Sequence, residues 1–308
     1  KTMKVYIKKH NSHAGKWIYA GYKSAWEYVG YDVVYYSNLD SIHLDDEYYL
    51  MAIDSDITMK NISKLNKSKA TFLFSQPNTF PLPWGTHPNF ISHASDEVIR
   101  NINMLDNVWL WTFGDLSPTD KKKYFHKWKD VNTLPLAFDS INYKPRKNKN
   151  FEYDICFVGG WANNGFNEKK KIMVDVFSQF QKTRLKCGFF VNKGISHNME
   201  TEILSSSKVC LNIHDAYQRK LGLDTNERTF KSLGLNGLLV SDKIGQVSNL
   251  FPNIRTSLNP KDILMIAEET LSLTLKKQEE LKEKNIANIL LNHCYINRVQ
   301  RMVDLWKK

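Results

Sequence analysis

The chain has 308 residues, of which 42% are hydrophobic and 12% aromatic, and its basic residues outnumber its acidic ones by 43 to 32. That length exceeds the usual ~100–200 residues of one domain, and that composition excludes a disordered or fibrous chain, so two globular cores are expected. The formal charge of +11 favours anionic company, be it nucleotide diphosphates, an anionic membrane face, acidic polysaccharide or nucleic acid, and does not choose among them; a lysine-rich solvated surface accounts for the excess equally well.

Apolar strand-like runs at 4–7, 32–36, 48–53, 71–74 and 108–112 alternate with amphipathic stretches at 17–28, 59–65, 96–105 and 120–128, and a last run lies at 134–137. This is β-α-β patterning. After the fourth strand comes QPNTFPLPWGTHP at 76–88, too long for a tight turn, which reads either as a wall of an acceptor pocket or as a loop on the surface. Residues 138–150 carry Pro145 among lysines, arginine and asparagines, the composition of a linker, which sets a first domain at 1–137 and a second at 151–308. The second repeats the rhythm with strands at 153–158, 185–191, 209–213 and 238–241 and helices at 169–180, 199–206 and 225–233. The run Lys169–Lys171 has the look of an exposed helix start. Two long helices follow, 260–284 with a break and 295–306, where Val299, Met302, Val303 and Trp306 form a stripe that must pack on something.

Alternation of this kind demands parallel sheets. The fold class is therefore α/β, two doubly wound Rossmann-like halves whose strand carboxyl ends face a shared crevice, the place where such sheets bind ligands. Cys156, Cys187, Cys210 and Cys294 sit singly without metal-type spacing and read as reduced core residues. No apolar run approaches the ~18–20 residues of a membrane span and the sequence opens on a strand pattern, so a cytoplasmic location is expected, with peripheral contact to an anionic membrane left open.

The segment richest in chemistry is VCLNIHDAYQRKLGLDTNERTFKSLGLNGLLVSD at 209–242: strand, polar loop, capped helix, strand. Asp224 followed three residues later by Glu227 suggests a capping box and a helix starting near Thr225, whose free N–H groups can hold a diphosphate. Arg228 falls in that first turn, Arg219 and Lys220 in the loop before it, and a guanidinium fork suits phosphate oxygens. Glu227 reads as a structural cap or a ribose contact, and His214, at a strand end, as a satisfied structural histidine or a ligand contact. Gly159–Gly160 directly follows a strand, where backbone N–H groups can approach a phosphate without an intervening Cβ.

Taken together, FVGGW at 157–161, LNIHD at 211–215 and NERTFKSLGLNGLLVSD at 226–242 resemble the CgeB-like, spore-maturation-protein-like glycosyltransferases, whose second domain carries an N-x-R-x-F-E-A-L-x-x-G-x-L-L-L-S-D type run. LPLAFDSINYKP at 134–145 resembles that family's interdomain connection, and His293 to Arg298 its final H-x-Y-x-x-R helix, so the likeness spans about residues 130–308. It implies the GT-B fold, with the last helix packing back across the domains and a nucleotide-sugar, UDP- or GDP-linked, on the second domain at Gly159, Gly160, His214, Asn226, Arg228 and Thr229. Where the family often has glutamate after the phenylalanine, this chain has Lys231, so Glu227 or another group takes over the ribose contact, or Lys231 meets a phosphate.

In the first domain, His10 to Gly15 lie between the first strand and first helix, and His13 is the nominee for the base of an inverting transfer. Asp54-Ser55-Asp56 has a D-x-D form that divalent metals use, yet acidic residues at strand ends are common cap chemistry, and no metal or other cofactor is expected. The basic, aromatic segment 121–129 fits an anionic membrane, base stacking or simply a helix with its aromatic side in the core. The leading function is transfer of a sugar from a nucleotide-sugar to a glycan, lipid-linked or protein acceptor by a metal-independent, hexosyltransferase-like enzyme. The alternatives are a nucleotide-sugar epimerase, a non-catalytic nucleotide- or sugar-binding protein, and a DNA-modifying glucosyltransferase, for which the charge is suggestive.

Overall fold

The computed structural model describes residues 2–77, 92–161 and 169–307. The chain forms two compact units, Lys1–Pro135 with Tyr295–Lys308, and Leu136–Cys294. Of the proline-rich stretch 76–88, only Gln76 and Pro77 lie within the described residues.

The first unit is built on β1 (Lys4–Lys8), β2 (Asp32–Tyr36), β3 (Tyr48–Ile53), β4 (Ala70–Phe74), β5 (Val108–Thr112) and β6 (Asn132–Thr133), in the spatial order β2-β1-β3-β4-β5-β6 with every pair parallel. The inner strands β1, β3, β4 and β5 are buried along most of their length, as parallel strands covered on both faces are. Val5 and Ile7 of β1 and Leu50 of β3 are fully buried, and Trp26, Trp111, Tyr22, Tyr49 and Phe72 fill the core. The helices are α1 (His13–Tyr28), α2 (Ile62–Lys67), α3 (Asp96–Ile102) and α4 (Pro118–Tyr124). Ser12 caps α1 by accepting from the Gly15 N–H at 3.1 Å, and Ser117 with Asp120 forms a capping box at α4. In the basic segment that continues from α4, Tyr124, Phe125 and Trp128 are buried. Its aromatic side is core, and offers no stacking surface for bases or lipid.

The run at 134–137 is not a strand: β6 is two residues long, and Pro135 lacks the N–H that a longer ladder needs. The final helix, α12 (Tyr295–Asp304), is grouped with the first unit, a correction to its assignment with 151–308. The reason lies in its stripe: Val299, Met302 and Val303 are buried and Trp306 meets Phe72 edge to face at 6.0 Å. Tyr295 lies against α1 where Gly21 has no side chain, and Arg298 Nε donates to the Pro135 carbonyl at 2.9 Å.

The second unit holds β7 (Ile155–Gly159), β8 (Cys187–Val191), β9 (Val209–Asn212) and β10 (Leu239–Ser241) as a parallel sheet in the order β10-β9-β7-β8. Its helices are α5 (Lys169–Phe180), α6 (His197–Ser206), α7 (Ala216–Leu221), α8 (Glu227–Leu235), α9 (Gly245–Leu250), α10 (Pro260–Leu271) and α11 (Leu275–Asn292). Ile155, Phe157, Met173, Val176, Phe180, Leu211, Val240 and Ile263 make the core between sheet and helices. Residues 138–150, linker-like in composition, are fixed to this unit: Phe138 N donates to the His293 carbonyl at 2.8 Å, and the Arg146 and Asn148 N–H groups donate to Ser205 and Ser206 at 3.1 and 2.7 Å. Among the described residues no helix is long and apolar enough to cross a membrane. All four cysteines are free thiols.

Candidate functional site

In the second unit the polar side chains gather where β7, β9 and β10 end. β9 runs apolar through Leu211 and stops on Asn212, and β10 leads into Asp242; both polar residues are fully buried. A buried amide or carboxylate is costly without partners, so each organises the groups around it.

Arg228 is the second residue of α8. Its guanidinium lies 4.8 Å from the Phe157 ring centroid, Nε donates to the Val158 carbonyl at 2.7 Å and Nη1 to Asn212 Oδ1 at 3.1 Å. Among the described residues it makes no ion pair closer than 4.0 Å, and Nη2 has no hydrogen bond. Burial draws its pKa below the ordinary guanidinium value, while Glu200, Asp215, Asp242 and Glu227 oppose that shift from further off. A Cβ on Gly159 would come within 2.4 Å of Nη2, and one on Gly160 within 2.0 Å of Asn192 Oδ1. A side chain at either position would displace the Arg228 guanidinium or the Asn192 amide. Asn192, at φ 54°, uses that oxygen to accept from the Trp161 N–H at 3.1 Å.

Asn212 Nδ2 donates to Asn226 Oδ1 at 2.9 Å and to Thr229 Oγ1 at 2.8 Å. Thr229 and Thr225 share a hydrogen bond of 2.7 Å, and Thr225 Oγ1 lies 2.6 Å from His214 Nε2. His214 Nδ1 in turn lies 2.5 Å from Asp242 Oδ1, and Arg219 Nε donates to the other oxygen at 2.6 Å. Burial alone would raise the Asp242 pKa, but His214 and Arg219 hold it well below the carboxylate range.

The capping box expected at Asp224 and Glu227 is absent. The N-cap of α8 is Asn226, whose side chain turns to Asn212 instead, and Asp224 accepts from Gln218 Nε2 at 3.3 Å. Residues 216–221 of the expected polar loop form α7, which carries Arg219 and Lys220 in its last turn and ends on Gly222 at φ 70°. Lys231 Nζ lies 2.7 Å from Glu200 and 3.6 Å from Glu227, with the Tyr143 ring 4.7 Å below. Burial would lower its pKa, yet the two carboxylates raise it, so Lys231 is a neutralised cation and not a spare charge for a phosphate. A second correction concerns Lys169: it is 5% exposed and paired with Asp215 at 3.3 Å, whereas a three-lysine run suggests a solvated helix start. Burial and the nearby Arg228 both lower its pKa.

Residues 166–304 match the model of the Glycosyl transferase-like family. Among solved structures, the trehalose-6-phosphate synthase OtsA superposes with a TM-score of 0.61 at 10% identity, over 100% of this chain and 99% of that one. An α-glucosyltransferase in complex with UDP and a 13-mer DNA gives 0.61 at 11% identity over 100% of both chains, and AviGT4, a glycosyltransferase involved in avilamycin A biosynthesis, gives 0.55 at 11% over 99% and 97%. The fold is GT-B. No curated protein matches the sequence.

Of the residues nominated from sequence, the GT-B second unit brings Gly159, His214, Arg219, Asn226, Arg228 and Thr229 into one network, sets Gly160 beside it on Asn192, and gathers Glu227 and Lys231 separately around Glu200. His214 and Thr229 are fully buried, so their side chains act on the others and not outward. His13 belongs to the first unit, exposed at the start of α1, and His10 of the same loop stacks on Tyr19 at 3.9 Å with its pKa lowered to about 4 by burial and by Lys8. Asp54 accepts from the Ala94 N–H at 3.0 Å and sits 3.3 Å from His93, while Asp56 pairs with Lys8 at 2.9 Å, so both carboxylates of the D-x-D serve the fold. Sequence reasoning missed Asn212, Thr225, Asp242 and Lys169. For the first and third a signal existed, a polar residue ending an apolar strand.

Proposed function

We propose that the protein is a metal-independent glycosyltransferase that takes a nucleotide-sugar, UDP- or GDP-linked, on its second unit and transfers the sugar to a glycan, lipid-linked or protein acceptor. The observation that carries this reading is Arg228: a cation without an ion pair among the described residues, fixed at the carboxyl end of a parallel sheet by Val158 and Asn212, with Nη2 uncommitted. A developing diphosphate leaving group needs such a charge, held in place before the reaction so that no reorganisation is required. The family match over 166–304, which contains Arg228, and the GT-B fold support the same reading. A membership within the CgeB-like group, resting on N-x-R-x-F and its flanking runs, is part of the proposal.

On the acceptor side, His13 is proposed as the base, its exposed imidazole free to take the hydroxyl proton. His13→Ala is expected to lower turnover far more than donor affinity; an unchanged rate refutes the nomination. Metal independence is supported by the prior engagement of Asp54 and Asp56. A panel of nucleoside diphosphates and nucleotide-sugars, read by thermal shift with and without EDTA, tests the whole: a ligand that binds only the native state raises its melting temperature. One nucleotide series is expected to do so, unaffected by chelator, and its sugar-linked form to release the diphosphate when acceptor is supplied; donor binding without turnover would instead favour a non-catalytic binding protein.

A second reading has its own observation. The α-glucosyltransferase bound to DNA matches over its whole length, and this chain carries +11. If the acceptor is DNA, duplex binding will weaken steeply with added salt. Salt-insensitive or absent binding removes that acceptor class.

A further inference from the structure

We propose that Thr225, fully buried, is a positioning residue that sets the affinity of Arg228 for a diphosphate, acting with His214 and Asp242 through a continuous chain of hydrogen bonds. The inference rests on the donor-site reading above and goes beyond it. Thr225, Thr229, Asn212, His214 and Asp242 are each fully buried.

The chain starts at Asp242. An ionised carboxylate can only accept. Asp242, held ionised by its neighbours, therefore accepts from Arg219 Nε and from the His214 backbone N–H, and at 2.5 Å from His214 Nδ1. The other ring nitrogen, Nε2, and the Thr225 hydroxyl share a hydrogen bond of 2.6 Å. The Thr225 and Thr229 hydroxyls share a hydrogen bond of 2.7 Å, and the Thr229 oxygen accepts from Asn212 Nδ2 at 2.8 Å. The other Nδ2 hydrogen goes to Asn226 Oδ1, and Asn212 Oδ1 accepts from Asn226 Nδ2 at 3.2 Å and from Arg228 Nη1 at 3.1 Å.

The last link orients the guanidinium. If the Thr225 hydroxyl is removed, the Thr229 hydroxyl loses its partner and can donate to the Asn212 amide, which favours the flipped state of that amide. In the flipped state an NH₂ group faces Arg228, two donors meet, and the guanidinium leaves its position. Buried networks of this sort transmit a local loss along their whole length.

Thr225→Val keeps the shape and deletes the hydroxyl; Thr225→Ser keeps the hydroxyl. Calorimetry with the nucleoside diphosphate that binds best should show a loss of about tenfold for Thr225→Val, the size of one neutral hydrogen bond, and near-native affinity for Thr225→Ser. In an Arg228→Lys background, where the link from Nη1 to Asn212 no longer exists, Thr225→Val should cost nothing further. Equal losses from Thr225→Val in both backgrounds mean a general structural effect and overturn the proposal, as does unchanged affinity in the native background. If the wild-type chain binds no nucleoside diphosphate at all, the donor-site reading falls, and this one with it.

Discussion

A single carboxyl shows how burial alone sets a pH response. Asp224 is raised from 3.8 to about 6 by burial, with the Gln218 amide pulling the other way. Between those values the native state keeps a proton that the unfolded chain has lost, so stability falls as pH rises through that window; the favourable contribution is complete below about 3.8 and lost above about 6. Asp224→Asn is expected to raise the melting temperature near pH 7 and to match the wild type below pH 4; equal melting at both would contradict the assignment. The same scale marks the limit of what the sequence could reveal. Arg228 is legible because a scarce arginine follows a strand–loop pattern, and Asn212 because a polar residue ends an apolar run. Lys169 is not, since composition sees three adjacent lysines and only packing decides that the first one is buried against Asp215. Lys231 is legible as a departure from the family run, but its meaning depends on Glu200, thirty-one residues away.

At the level of elements, period and polarity locate nearly all strands and long helices, and miss the short pieces. α7 and α9 have six residues each, too few for a 3.6-residue period to declare itself, and their own Gln218 and Gln246 tie them to Asp224 and to the Thr225 N–H outside the helices. The capping box at Asp224 is a plausible local pattern overridden by Asn212, which draws Asn226 away from the helix end. The H-x-Y-x-x-R run likewise gains its meaning from tertiary context. His293 packs on Phe230 and Phe251, while Tyr295 and Arg298 bind α1 and Pro135. Gly21 is the receiving surface for Tyr295, and a Cβ there would stand 2.4 Å from the ring. Gly21→Ala should gain ~0.5–1 kcal/mol of helix propensity and lose ~1–3 kcal/mol to overpacking, a net destabilisation. Denaturant melts and faster proteolysis of the C-terminal helix should report it; a variant at least as stable as the wild type would show that the ring has room to move.

Across the whole molecule, two parallel sheets account for the length, the alternation and the return of the last helix to the first unit. The positive charge is compatible with every acceptor class considered, and on the function proposed above the anionic ligand of the second unit is the donor's diphosphate. Titration of the purified chain with the nucleoside diphosphate series by calorimetry, wild type beside Arg228→Ala, tests that most directly. One series is expected to bind and the variant to lose ~1.5–3 kcal/mol, the range for a hydrogen bond to a charged group. Binding of equal strength to both proteins, or to neither, would contradict it.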